Sequence, residues 1–160
     1  MTRRTLLSLA ALLSLVGGVV AADALDAPLK DFKLADYDGK VSDLVTYEES
    51  EGRIAFSTNG VAKGTVKAEE AGEYTLTLDA ACVEANKTLA KIKIQVNGKS
   101  VKDEFALTQA DKKAYKFDVK LVKGDNTVHV EFLNDIYKEN EYDLNFYLHG
   151  VKFEKAKAKE

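Results

Sequence analysis

Apolar side chains recur at every second residue along most of this chain. Tyr74, Leu76, Leu78 and Ala80 alternate with Thr75, Thr77 and Asp79; Ile92, Ile94 and Val96 alternate with Lys91, Lys93 and Gln95. Tyr115, Phe117, Val119 and Leu121 alternate with Lys116, Asp118 and Lys120, and Val128, Val130 and Phe132 make a further apolar face. A period of two sends successive side chains to opposite faces, so each segment reads as a strand buried on one side. Asn97-Gly98 follows the second segment and predicts a hairpin, with Val101 to Leu107 as the return strand, because both residues tolerate positive φ. Lys123-Gly124-Asp125-Asn126 predicts the next turn, and Ala71-Gly72 another. Leu144, Phe146 and Leu148, then Val151 and Phe153, predict a last strand with a bulge at Gly150. Upstream, Phe32 to Tyr37, Arg53 to Phe56 and Val61 to Val66 complete the set, while Val83 to Leu89 and Leu107 to Lys113 read as loops.

About eight or nine short strands with turns every 8–12 residues predict an all-β, two-sheet antiparallel β-sandwich. Strands of a parallel α/β sheet would be continuously apolar instead. The single proline, Pro28, falls ahead of the first predicted strand. The β-sandwich domain is placed at 25–154 and a flexible polar tail at 155–160.

Residues 1–24 read as a signal peptide. Arg3 and Arg4 precede an uncharged apolar run from Leu6 to Val20, and small residues follow at Ala21, Ala22 and Ala24. That is the order of parts in a secretory leader, with cleavage after Ala22 or Ala24. The run is short of the roughly 20 residues that span a bilayer, so no membrane insertion is expected after cleavage. The expected location is secreted or periplasmic.

The whole chain carries 23 basic and 26 acidic residues. Without the leader the net charge is about −4, spread evenly, with no basic patch of the kind that binds nucleic acid. Cys82 is the only cysteine and shares the alternation of Tyr74 to Ala80, so it reads as a buried thiol rather than half of a disulfide or a nucleophile. His129 and His149 both fall in strands, and no zinc-ligand spacing accompanies them. No Gly-x-Ser-x-Gly, phosphate loop or dinucleotide fingerprint occurs. Nothing supports a small hydrolase, and the chain is not expected to be an enzyme.

The densest chemistry lies near the end. The strand closing at Phe132 stops at Asn134-Asp135, an acidic and aromatic loop follows, and the next strand opens with Asp143-Leu144-Asn145. Side-chain oxygens gathered on a loop are what a hard cation such as calcium requires. Asp135, Glu141 and Asp143 are the candidate metal ligands; Asn134, Tyr137, Tyr142 and Asn145 are the candidate ligand-binding residues. Glu139 lies in the same loop, and Glu84 sits on a connection expected to reach the same rim. The competing interpretation makes Asn134-Asp135 an Asx turn ending one strand, Asp143 and Asn145 caps of the next, and Glu139 and Glu141 solvated charge near Lys138.

The ordered set Phe132-Leu133-Asn134-Asp135, a short loop, and Asp143-Leu144-Asn145-Phe146-Tyr147-Leu148 resembles a motif of the calcium-dependent, xylan-binding type of carbohydrate-binding module. Phe56-Ser57-Thr58-Asn59-Gly60, Ala71-Gly72-Glu73-Tyr74, Val96-Asn97-Gly98 and Lys123-Gly124-Asp125-Asn126-Thr127-Val128 resemble other segments of that family, so the likeness spans about 53–154. Leu34-Ala35-Asp36-Tyr37 resembles the first strand of related modules. The resemblance implies a jelly-roll-like sandwich and non-catalytic binding of a polysaccharide or glycan, with calcium contacting sugar hydroxyls. Two positions depart from the motif: Leu144 replaces an Arg and His149 replaces an Asp. There is no Trp, which leaves Tyr137, Tyr142 and Tyr147 as the stacking rings. The alternative function is a secreted structural or adhesive sandwich that binds a protein partner.

Overall fold

The chain is described here from a computed structural model that covers residues 24–156; the expected leader, apart from Ala24, lies outside the described residues. Among the described residues thirteen strands follow in order. They are β1 (Leu25–Asp26), β2 (Lys33–Asp36), β3 (Val45–Glu48), β4 (Arg53–Phe56), β5 (Gly60–Ala68), β6 (Gly72–Cys82) and β7 (Lys91–Val96). The rest are β8 (Lys99–Ala106), β9 (Lys113–Leu121), β10 (Gly124–Phe132), β11 (Tyr137–Lys138), β12 (Tyr142–Asp143) and β13 (Phe146–Lys155). A 3-10 turn, Leu29–Asp31, separates β1 from β2. Among the described residues no helix is long and apolar enough to cross a membrane.

One sheet runs β3-β4-β13-β6-β9, with β1 also on β13; the other runs β2-β5-β10-β7-β8. Every pairing between strands is antiparallel. Apart from the hairpins β3–β4, β7–β8 and β11–β12, the connections from β4 to β13 pass from one sheet to the other, which is the jelly-roll way of closing a sandwich. The predicted alternation is the observed burial. Leu76, Leu78 and Ala80 of β6, Ile92 and Ile94 of β7, and Val128 and Val130 of β10 are wholly buried between the sheets. Cys82 is a buried free thiol, and burial pushes its pKa up.

Four details differ from the sequence reading. Pro28 lies inside the fold, because β1 ahead of it pairs with Phe153 and Lys152 of β13. Strand β3, Val-Thr-Tyr-Glu, follows the Asp38-Gly39 turn and was not expected. The loop after Asp135 contains the small hairpin β11–β12. Strand β13 runs to Lys155, which pairs with Glu70, and the Ala156 N–H still donates to the Glu73 carbonyl, so the expected tail begins as strand. Residues 157–160 lie outside the described residues. The predicted bulge is present as a register shift between Leu148 and Gly150.

Sheet crossing divides the connections between two poles. The β4–β5, β6–β7, β8–β9 and β10–β13 connections, with the β2–β3 loop, share the pole where β10 ends. Shorter turns, including Asn97-Gly98, occupy the other. Beneath the first pole three rings interlock. Phe56 and Phe146 are 5.2 Å apart between centroids, Phe132 and Phe146 5.8 Å, and Phe56 and Phe132 6.4 Å. Each ring is within three residues of a loop residue described below, so this packed floor fixes where the loops start.

Candidate functional site

Asparagine side chains hold the loop after β10 in place. The Asn134 Oδ1 accepts the Lys91 N–H at 2.6 Å, and its Nδ2 donates to the Leu89 carbonyl at 3.1 Å. Asn134 therefore ties this loop to the β6–β7 connection, a longer-range job than an Asx turn. One residue on, the Asp135 N–H donates to Asn59 Oδ1 at 2.7 Å, across from the β4–β5 turn. The Leu144 N–H closes the loop onto the Ile136 carbonyl at 3.0 Å, and the Val83 N–H donates to the Asn145 carbonyl at 2.9 Å.

These ties leave two oxygens unsatisfied. Asp135 Oδ1 and Asn145 Oδ1 are both shielded from solvent and accept no hydrogen bond. Burial raises the Asp135 pKa, and the nearby Asp143 carboxylate raises it further; a hydrogen bond from the buried Thr58 side chain opposes both. A partly buried carboxylate with one shielded, unbonded oxygen and a like charge beside it is costly alone and becomes favourable beside a cation.

The β11–β12 hairpin sorts the remaining candidates. Tyr137 pairs with Asp143, and Lys138 with Tyr142. Directly opposed residues share a face, so the Tyr137 ring and the Asp143 carboxylate stand together, and Tyr137 is 67% exposed. Tyr142 takes the other face and packs partly against the core. Glu141 is exposed on the tip and pairs with Lys138 at 2.5 Å. Glu139 is exposed on the same tip, where Asn140 takes a positive φ of 60°. Glu84 is exposed on the β6–β7 connection at the same pole. Among the described residues no group of three or more His, Cys, Asp or Glu side chains converges as a metal centre. The expected triad Asp135, Glu141 and Asp143 is thus not drawn to one point: Asp135 and Asp143 interact, and Glu141 is engaged elsewhere. Any cation held here needs amide, hydroxyl or backbone oxygens as well, a donor set calcium accepts. The two orphaned oxygens fit that requirement.

Both departures from the motif lie away from this chemistry. Leu144 is fully buried in the core, in phase with Phe146. His149 sits on the outer face of β13, four residues beyond Asn145 and so roughly 14 Å along the strand. Burial lowers its pKa, as do Lys112 and Arg53 nearby. Tyr147 is covered by the Arg53 guanidinium, 4.0 Å from the ring centroid, which removes it as a stacking surface.

Sequence reasoning passed over three residues. Thr58 is read from sequence only as part of a family segment, and Asn59 only there and, with Gly60, as the break between two strands. Tyr37, 68% exposed, lies at this pole and helps to line a cleft of about 450 Å³ with Asn59, Gly60, Glu131 and Leu133.

The profile of a family described as "Ca-dependent carbohydrate-binding module xylan-binding" (CBM60) matches residues 75–160, more than half of the chain. The chain belongs to that family. It is accordingly a non-catalytic binding module, and the loop after β10 lies wholly within the matched region. Solved carbohydrate-binding modules share the fold. A CBM36 domain of a xylanase from the hindgut metagenome of Trinervitermes trinervoides superposes with a TM-score of 0.59 at 13% identity, over 85% of this chain and 100% of that one. A CBM36 module in complex with calcium and xylotriose gives 0.57 at 14%, over 82% and 98%. A family 35 module from Clostridium thermocellum gives 0.55 at 16%, over 84% and 100%. No curated protein matches the chain.

Proposed function

We propose that this module is secreted and binds xylan or a related polysaccharide through a calcium ion held at the pole where β10 ends. The observation that carries the reading is the pair of buried, unbonded oxygens, Asp135 Oδ1 and Asn145 Oδ1, with Asp143 beside Asp135. Family membership and the leader-like N-terminus support it.

Asp135 and Asp143 supply the charge that holds the ion, Asn145 and Thr58 supply neutral oxygens, and Glu141 stays in reserve on the hairpin tip. Calcium bound there would offer open coordination positions to vicinal sugar hydroxyls. Asn59 and Asn134 hold the Asp135 backbone in place. Tyr137, on the same hairpin face as Asp143, gives the sugar ring an apolar surface. Tyr142 supports the hairpin from beneath.

Retention on immobilised xylan, with calcium and then with a chelator, tests the reading. Retention should require calcium and fall about 100-fold in Asp135→Ala, equivalent to roughly 2.7 kcal/mol. Retention on no glycan of a neutral panel would discard the sugar reading in favour of a protein partner.

A further inference from the structure

The two outer faces of the sandwich handle their charge differently. On the sheet built around β6 and β13, three basic side chains are paired with acids: Lys120 with Glu73, Lys152 with Glu154 and Arg53 with Glu48. On the other sheet, opposite charges also meet across strands in two rows. Asp125 faces Lys67, and Glu131 stands opposite Lys93. Between those rows runs one that contains no acid. Lys33 of β2 is the register partner of Lys63 of β5, Lys63 is the partner of His129 of β10, and His129 is the partner of Gln95 of β7.

Like charges directly opposite each other destabilise a sheet. Lys33 and Lys63 are both exposed, and among the described residues neither forms an ion pair. His129 continues the row on β10 as a half-buried ring whose Nε2 is shielded from solvent and makes no hydrogen bond. An acidic chain thus sets two uncompensated positive charges side by side on β2 and β5, at one end of a row that crosses four strands. The row is about 14 Å long at the usual spacing between strands.

We propose that this face is a second binding surface, separate from the cation pole, for a carboxylate-bearing polysaccharide. The row offers two ammonium groups and the Gln95 amide as donors to successive carboxylates and hydroxyls along an extended chain. Glu131, two residues from His129 on the same face, disfavours anions at one side and confines them to the row. Calcium has no part in this contact.

The test is retention of the mature protein on immobilised polygalacturonate at low ionic strength with a chelator present, which silences the cation pole. Wild type should be retained, and should elute at about 1 M salt, where the screening length is about 3 Å. Lys33→Ser combined with Lys63→Ser should lose at least fivefold in retention, on the order of the arithmetic for a weak contact. Lys63→Arg should keep it, and the calcium-dependent retention on xylan should be the same in all three proteins. Lys116→Ser with Lys120→Ser removes the same charge from the opposite face and should change little. The proposal is overturned if wild type is not retained, if the control pair loses as much as the Lys33 and Lys63 pair, or if dextran sulfate is held as tightly as polygalacturonate.

Discussion

At one end of β10, Asn126 is wholly buried and every polar position of its side chain is used. Its Oδ1 accepts from the Val122 N–H at 2.9 Å and from Asn97 Nδ2 at 2.7 Å, and its Nδ2 donates to the Val122 and Gly124 carbonyls at 2.8 and 2.9 Å. Beyond the other end, about 20 Å along the strand, Asp135 and Asn145 are partly buried, yet each keeps a shielded oxygen without a partner. The two poles share a sandwich, a strand and a residue chemistry. The first spends its polar groups on closing turns, and the second leaves them open. Buried polar groups are normally satisfied, so the exception marks where a ligand completes the structure.

Breaking the satisfied pole should have the largest effect on stability. Asn126→Ala leaves Val122, Gly124 and Asn97 groups without partners and should cost about 3 kcal/mol in denaturant unfolding, while leaving the calcium-induced shift in Tm intact. A loss of the calcium response in that variant would mean the poles are coupled.

Asn59→Ala lies between the extremes. It removes the acceptor of the Asp135 N–H, so stability should fall by about 1 kcal/mol and calcium affinity, followed by calorimetric titration, by roughly tenfold. A fall in stability alone would make Asn59 a turn residue and nothing more. Tyr137→Ala should have the smallest effect: xylan binding weaker by about 1 kcal/mol with calcium affinity and Tm unchanged.

The sequence made the scaffold plain and the site only partly so. Period-two alternation located β6, β7, β9, β10 and β13 because each buries one face, and Asn97-Gly98 set the β7–β8 turn for the same local reason. Strand β3 escaped because only Val45 is deeply buried and the segment alternates weakly. The oxygen-rich loop was visible as composition, but composition does not say which oxygens are spent. Asn134 is spent on the backbone of residues 89 and 91, more than 40 positions away in sequence, and Glu141 is spent on Lys138. Asn59 joins the site through a contact that bridges 76 positions. Leu144 and His149 departed from the motif in letters while lying in the core and on a sheet face, so their departure does not reach the loop.

The central claim is that Asp135 keeps its carboxylate charged and its Oδ1 free for a cation, and melting Asp135→Asn against wild type tests it most directly. Burial and Asp143 raise the folded pKa of Asp135 above its unfolded value of about 4. Its ionised form therefore costs stability at neutral pH without a cation, and that cost fades as pH falls through the folded value towards the unfolded one. With a chelator at pH 7, Asp135→Asn should melt a few degrees above wild type, an advantage that vanishes near pH 4. With saturating calcium the order should reverse, because only wild type gains from the ion. Identical melts in calcium and chelator for wild type, or a variant that melts lower in both, would contradict the account.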